Sequence, residues 1–178
     1  MTDMLVKLYN MRLDHGLLDR LEQQQVSIHR ALAPDARRIV SFVESGAAVH
    51  WPNESKDAWS SECAAAMANH PPTCFIAVER QQLIGFACYD ATAKGFFGPT
   101  GVVQEARGRG IGKALLLASL MAMWDDGYGY AVIGWPARDA VGFYAKTVQA
   151  EVIEGSTPGI YGRLIGANRS GEERVARS

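Results

Sequence analysis

The run Val102-Val-Gln-Glu-Ala-Arg-Gly-Arg-Gly-Ile-Gly-Lys-Ala-Leu-Leu116 constrains the fold more than any other part of the chain. β-branched residues lead into a turn rich in Gly and Arg, and the turn opens directly into an apolar stretch, 114–124, broken only by Ser119. A helix apolar on all sides must be covered on all sides. The spacing therefore predicts a helix over 110–125 buried against a sheet to which the preceding strand belongs. The stretch is well short of the roughly 18 to 20 apolar residues that cross a bilayer. The turn suits an anion: unpaired N–H groups of the helix's first turn point outward, the macrodipole adds about half a positive charge, and glycine lets a ligand approach the backbone closely. Arg107, Arg109 and Lys113 add charge at the same place.

Spacing decides which anion. A P-loop needs Gly where Arg107 stands and a hydroxyl where Ala114 stands, and a dinucleotide fingerprint needs Gly at Lys113. The run Arg107-x-x-Gly110-x-Gly112 instead resembles the [QR]-x-x-G-x-[GA] motif of GCN5-related N-acetyltransferases. The resemblance extends over about 5–165 and is clearest from 73 to 165. It implies an α/β fold with a mixed, mostly antiparallel central sheet flanked by helices. It also implies acetyl-coenzyme A (acetyl-CoA) as acyl donor, its pyrophosphate held by Arg107, Gly108, Arg109, Gly110, Ile111, Gly112 and Lys113. The family's preceding strand is bulged and offers an open edge to the pantetheine arm; Gly98, Pro99 and Gly101 fit that irregularity, and the backbone of Val102 and Val103 would face the cofactor. Tyr144 matches the family tyrosine that protonates the departing thiolate, and an N–H near Val103 would hold the oxyanion.

The chain departs from the family after 131–134, where Trp135-Pro136-Ala137-Arg138 replaces a segment that often carries a cofactor-binding Asn, and no residue is assigned there. Gln149-Ala150 likewise stands in place of a commoner Gly-containing pair. For the general base, Glu105, Asp90 and His50 are candidates that the sequence does not rank. Trp51, Trp59, Trp135 and Tyr161 could line an acceptor groove or simply pack in the core.

Elsewhere, 5–11 reads as a strand, 17–32 as one or two helices from the spacing of Leu17, Leu18, Leu21, Ile28 and Leu32, and 34–46 as a helix started by Pro34 and stopped by Gly46. A helix is expected over 58–67, an antiparallel hairpin from 73–78 and 83–89, a strand over 96–103, another over 128–135 and a short helix over 140–147. A closing hairpin is expected from 150–154 and 160–165. The domain is expected over 1–166, with 167–178 a polar, disordered tail.

With a formal charge of −1, the chain has no overall field drawing it to nucleic acid or anionic membrane. Its N-terminus lacks the apolar core of a secretory signal, and Cys63, Cys74 and Cys88 form no CxxC pair, which fits reduced core thiols in the cytoplasm. His15, His29, His50 and His70 lie too far apart for a ligand pattern, so no metal is expected. The expected reaction is direct transfer of acetyl to an amine of a small molecule or peptide, and dimers being common in the family, the resemblance allows a homodimer. The alternative is an inactive coenzyme A-binding or sensing module in which Tyr144 only packs.

Overall fold

A computed structural model of the chain describes residues 2–47 and 54–165. Among these, seven strands form one sheet: Met4–Lys7 (β1), Val26–Arg30 (β2), Cys74–Glu79 (β3), Gln82–Tyr89 (β4), Phe96–Val102 (β5), Tyr130–Ile133 (β6) and Glu151–Val152 (β7). Their order is β2-β3-β4-β5-β6-β1-β7, antiparallel throughout except for the parallel pair β5 and β6. The helices are His15–Gln23 (α1), Ala36–Glu44 (α2), Glu54–Ala68 (α3), Ile111–Asp125 (α4) and Val141–Val148 (α5).

The period of two along the strands sorts the core into two layers. Ala87 and Tyr89 of β4 join α1, α4 and α5 on one face, while Phe86 and Cys88 join α2 and α3 on the other. As its composition demands, α4 is the most enclosed element: Ile111, Leu115, Leu116, Leu120 and Met123 are 0–1% exposed. Its one polar interruption, Ser119, donates its hydroxyl back to the Leu115 carbonyl at 2.9 Å and so leaves no unsatisfied group. Cys63, Cys74 and Cys88 are buried free thiols between α3 and the sheet.

Three expectations are corrected. The helical reading of 17–32 holds only through α1; from Val26 the chain is strand β2, paired with β3 from Val26↔Glu79 to Arg30↔Phe75. Leu21 and Ile28, seven apart, satisfy helical spacing, but Val26 and Ile28 alternate with the outward Ser27 and His29, and the pairing edge of β3 selects that period. The strand expected over 5–11 stops at Lys7 and passes into a 3-10 turn, Leu8–Asn10.

The closing hairpin does not form. β7 pairs with β1, and the segment Gly159–Arg163 is a 3-10 helix. The edge of β6 that a C-terminal strand would use is already taken by β1, with Met4 opposite Ile133 and Lys7 opposite Tyr130. Met4, Val6 and Leu8 are 0–1% exposed, so the N-terminal segment is part of the core. The expected tail and the loop around His50 and Trp51 lie outside the described residues.

Candidate functional site

The sheet forks where its only parallel pair parts. β5 and β6 are in register at Phe96↔Val132 and Phe97↔Ile133 and no further, while β5 continues along β4 to Val102↔Gly85. Gly98, with φ 122°, sits at the fork. The edge of β5 beyond it is unpaired on the β6 side. Which groups it offers follows from alternation. The Val103 N–H donates to the Ile84 carbonyl of β4 at 2.9 Å, so the backbone groups of Val102 and Thr100 point the other way, into the fork. The Val102 carbonyl there accepts Arg107 Nε at 3.1 Å. Val102 thus turns its backbone into the fork, whereas the N–H of Val103 is spent on the sheet.

The fork opens into a cleft of about 480 Å³. One wall is β5 with Phe97, Thr100, Gly101 and Val102; a second is the turn into α4 with Ala106, Arg107, Gly108, Gly110, Ile111, Gly112, Lys113 and Leu116; the third is α5 with Ala140, Phe143 and Tyr144. Gly108 and Gly110 adopt left-handed φ of 76° and 89°, and no side chain caps the N-terminus of α4. Its first N–H groups are therefore left to whatever enters the cleft.

The N-terminal helix fixes this turn. Lys113 Nζ pairs with Asp14 Oδ2 at 2.8 Å, and Asp14 Oδ1 caps α1 by accepting the Leu17 N–H at 3.0 Å. The Leu17 side chain fills the space beside Gly110, where a Cβ would stand 2.6 Å from its Cδ1. Arg109 turns away from the cleft: its Nη2 donates to Glu79 Oε1 at 2.8 Å and its Nε to Gln24 Oε1 at 3.0 Å. The Arg109 hydrogen bond holds the Glu79 carboxyl below its usual range. Of the sequence candidates, Val102, Arg107, Gly108, Gly110, Ile111, Gly112, Lys113 and Tyr144 converge on the cleft, and the side chains of Val103 and Arg109 do not line it.

Tyr144 is 7% exposed, edge-on to Phe97 with ring centroids 6.3 Å apart and to Phe143 at 5.2 Å. Burial pushes its phenol up to about 12, so the group carries its proton at every pH an assay would use. Tyr89, 0% exposed, is also pushed up to about 12, first by burial, with its hydroxyl donating to Asp126 Oδ2 at 2.7 Å. Unfolded phenols titrate near 10, so from pH 10 to 12 the unfolded chain releases these protons while the native one keeps them, and stability falls as pH rises. Each contributes a slope of about 1.4 kcal/mol per pH unit. Thermal melts at pH 9 and pH 11.5 should show a lower Tm at the higher pH, and the Tyr144→Phe variant should lose less.

Among the base candidates, Asp90 is occupied structurally: Oδ1 accepts the Gly95 N–H at 2.7 Å, and Oδ2 accepts Tyr128 Oη at 2.8 Å and Lys94 Nζ at 3.1 Å. Glu105 lies exposed on the 3-10 turn Gln104–Ala106, and His50 is outside the described residues. Sequence reading passed over Thr100 and Ala140, which line the cleft without any distinguishing local pattern, and Glu62, which looks like an ordinary charge on α3. The Glu62 carboxylate instead accepts a hydrogen bond from Thr92 Oγ1, and desolvation raises its pKa. Trp135 and Tyr161 stack at 4.2 Å beside the end of β6.

No helix among the described residues is long and apolar enough to cross a membrane. No curated protein matches the sequence significantly. Among solved structures, the chain is similar to a GCN5-related N-acetyltransferase from Sphaerobacter thermophilus, with 18% identity and TM-score 0.59 over 85% of this chain and 48% of that one. It is also similar to a GNAT family acetyltransferase from Brucella melitensis in complex with acetyl-CoA, with 23% identity and TM-score 0.51 over 67% of this chain and 82% of that one. A third is the glucosamine N-acetyltransferase region of a fungal multi-domain β-N-acetylglucosaminidase, with 14% identity and TM-score 0.64 over 85% of this chain and 19% of that one. The chain spans less than half the length of the first four structures it matches. The model of the acetyltransferase (GNAT) family matches residues 28–148, from β2 through the turn into α4 to the end of α5, and the chain belongs to that family.

Proposed function

We propose that the chain transfers the acetyl group of acetyl-CoA to an amine by direct attack, with no acyl-enzyme intermediate. The observation that carries this reading is the forked sheet opening onto the uncapped N-terminus of α4, with Tyr144 on the remaining wall. Arg107, Lys113 and the first N–H groups of α4 would hold the pyrophosphate, and the unpaired edge of β5 would receive the pantetheine amides. An N–H of that edge, from Thr100 or Val102, would stabilise the oxyanion as the amine adds to the thioester. When the C–S bond breaks, Tyr144 would donate its proton to the leaving sulfur.

The thiols support direct transfer by their placement. Cys63, Cys74 and Cys88 are 0% exposed and none lines the cleft. Cys63→Ala is accordingly expected to leave kcat within about twofold, read by coenzyme A release. The acceptor amine is unidentified; the fungal neighbour's glucosamine earns that sugar a place among the amines to be tried.

Calorimetry with acetyl-CoA tests the site. Gly112 lies in the cleft, and a Cβ there meets nothing nearer than Val102 Cγ2 at 3.9 Å, so Gly112→Asp should fold and place a carboxylate against the phosphates. At about 5 Å and an effective dielectric of about 20, that repulsion is about 3 kcal/mol, a loss of about 10²-fold in acetyl-CoA affinity. Arg109→Ala should change that affinity less than twofold, because the guanidinium is engaged with Glu79 outside the cleft. Unchanged binding by Gly112→Asp, or no heat from the wild type at millimolar acetyl-CoA, would refute the site.

A further inference from the structure

Lys113 lines the cleft, yet its ammonium is already paired: Nζ lies 2.8 Å from Asp14 Oδ2, and the two side chains are 39% and 35% exposed. Water screens such a pair only in part. The same carboxylate caps α1, Oδ1 accepting the Leu17 N–H at 3.0 Å. These two hydrogen bonds, that of Lys113 first, hold the Asp14 carboxyl below its usual range, so it is charged at neutral pH.

A carboxylate works against an anion site. Arg107 and the uncapped N-terminus of α4 attract phosphate, whereas Asp14, one ammonium away, repels it. A phosphate oxygen bonded to Nζ would stand only about 5 Å from the carboxylate that shares that ammonium. Asp14 also has other company. Arg20 Nη1 and Asp14 Oδ1 both lie beside Gly16, 3.6 and 3.8 Å from where its Cβ would stand, and Arg20 acts on Asp14 in the same sense as Lys113. Lys113 can therefore leave without stranding a bare carboxylate, because the Leu17 N–H and Arg20 remain. Arg109 takes no part, since it is paired with Glu79.

Resting on the acetyl-CoA reading, we propose that Asp14 is a competing counter-ion for Lys113, so that the pyrophosphate binds by exchange for it and Asp14 sets how tightly the carrier is held. Acetyl-CoA and coenzyme A carry the same pyrophosphate, so a grip on it is equal in substrate, transition state and product. Such uniform binding lowers KM and slows product departure without speeding the chemistry. A carboxylate that tempers the grip favours release. It comes from α1, outside the matched segment 28–148, which makes the device a property of this chain rather than of the motif.

The test uses the full chain, with acetyl-CoA and coenzyme A as the two probes in calorimetry at 50 and 500 mM NaCl. Asp14→Asn keeps a side-chain oxygen for the Leu17 N–H and caps a helix as well as aspartate does; Asp14→Ser is a second capping variant should the first fold poorly. Each is expected to bind both probes about tenfold more tightly than the wild type at 50 mM, with the gain falling to about threefold or less at 500 mM. The KM for acetyl-CoA should fall in step while kcat does not rise. Lys113→Met should cost more affinity in the Asp14→Asn background than in the wild type, because only there is the ammonium free. If Asp14 merely positioned Lys113, both capping variants would bind more weakly; that result, or affinity within twofold of the wild type at both salt concentrations, overturns the proposal. A wild type that gives no heat with either probe overturns the acetyl-CoA reading and this proposal with it, an outcome distinct from a wild type that binds and variants that gain nothing.

Discussion

Tyr144→Phe is expected to lower kcat for acetyl transfer by about 10²-fold while leaving acetyl-CoA affinity within about twofold. The ring contributes to packing through Phe97 and Phe143, and phenylalanine keeps that contribution. Only the hydroxyl is lost, and with it the proton that the proposed mechanism sends to the leaving sulfur. Because burial holds the phenol near 12, the wild type should show no falling limb from this group below about pH 10, so the defect should be the same at pH 7 and pH 9. Single-turnover coenzyme A release measures the chemical step, and calorimetry measures the cofactor. An unchanged turnover would leave Tyr144 as a packing residue, and a wild type that binds acetyl-CoA but turns over no amine would favour the binding module.

The second large effect concerns residues that precede the family match. Val6 is 0% exposed in β1, between β6 and β7, so Val6→Asp would bury a charge with no partner. The expected loss exceeds about 4 kcal/mol, a large share of the 5 to 15 kcal/mol by which domains of this kind are stable. Urea unfolding by circular dichroism should show a collapsed midpoint or no folded baseline. If β1 were an appendage to a self-sufficient family domain, the variant would melt with the wild type. The same segment reaches the cleft, since Asp14 holds Lys113 and Leu17 packs beside Gly110. Damage to β1 and α1 should therefore also weaken acetyl-CoA binding.

Local rules made much of the architecture legible. The apolar 114–124 stretch had to be a buried helix, the two apolar runs 73–78 and 83–89 on either side of a polar turn had to be a hairpin, and the glycines before Ile111 had to be a turn. Each depends on sterics and periodicity within a few residues, which is why the strand–turn–helix unit and the irregular β5 emerged where the sequence put them.

Where the pattern is silent, partners distant in sequence decide. Val26 and Ile28 fit a helix or a strand until β3 offers its edge. The closing hairpin was a sound reading of 150–165, but β1 had already covered β6, and nothing near residue 160 records that. Arg107 holds the first position of the motif and Arg109 an unspecified one, but no local pattern records where either side chain goes; one bonds the Val102 carbonyl at the cleft and the other is drawn off by Glu79, thirty positions away.

Sequence alone, then, determined the kinds of element, the glycine-rich turn into α4 and the tyrosine on α5, because those follow from side-chain chemistry acting along a short stretch of chain. Only the tertiary structure decided that Val102 and not Val103 turns its amide to the fork, that Arg109 leaves the cleft, and that Glu62 sits partly desolvated against Thr92. Those are outcomes of competition between groups far apart in the chain for the same hydrogen bonds and the same space, and no local spacing encodes which of them wins.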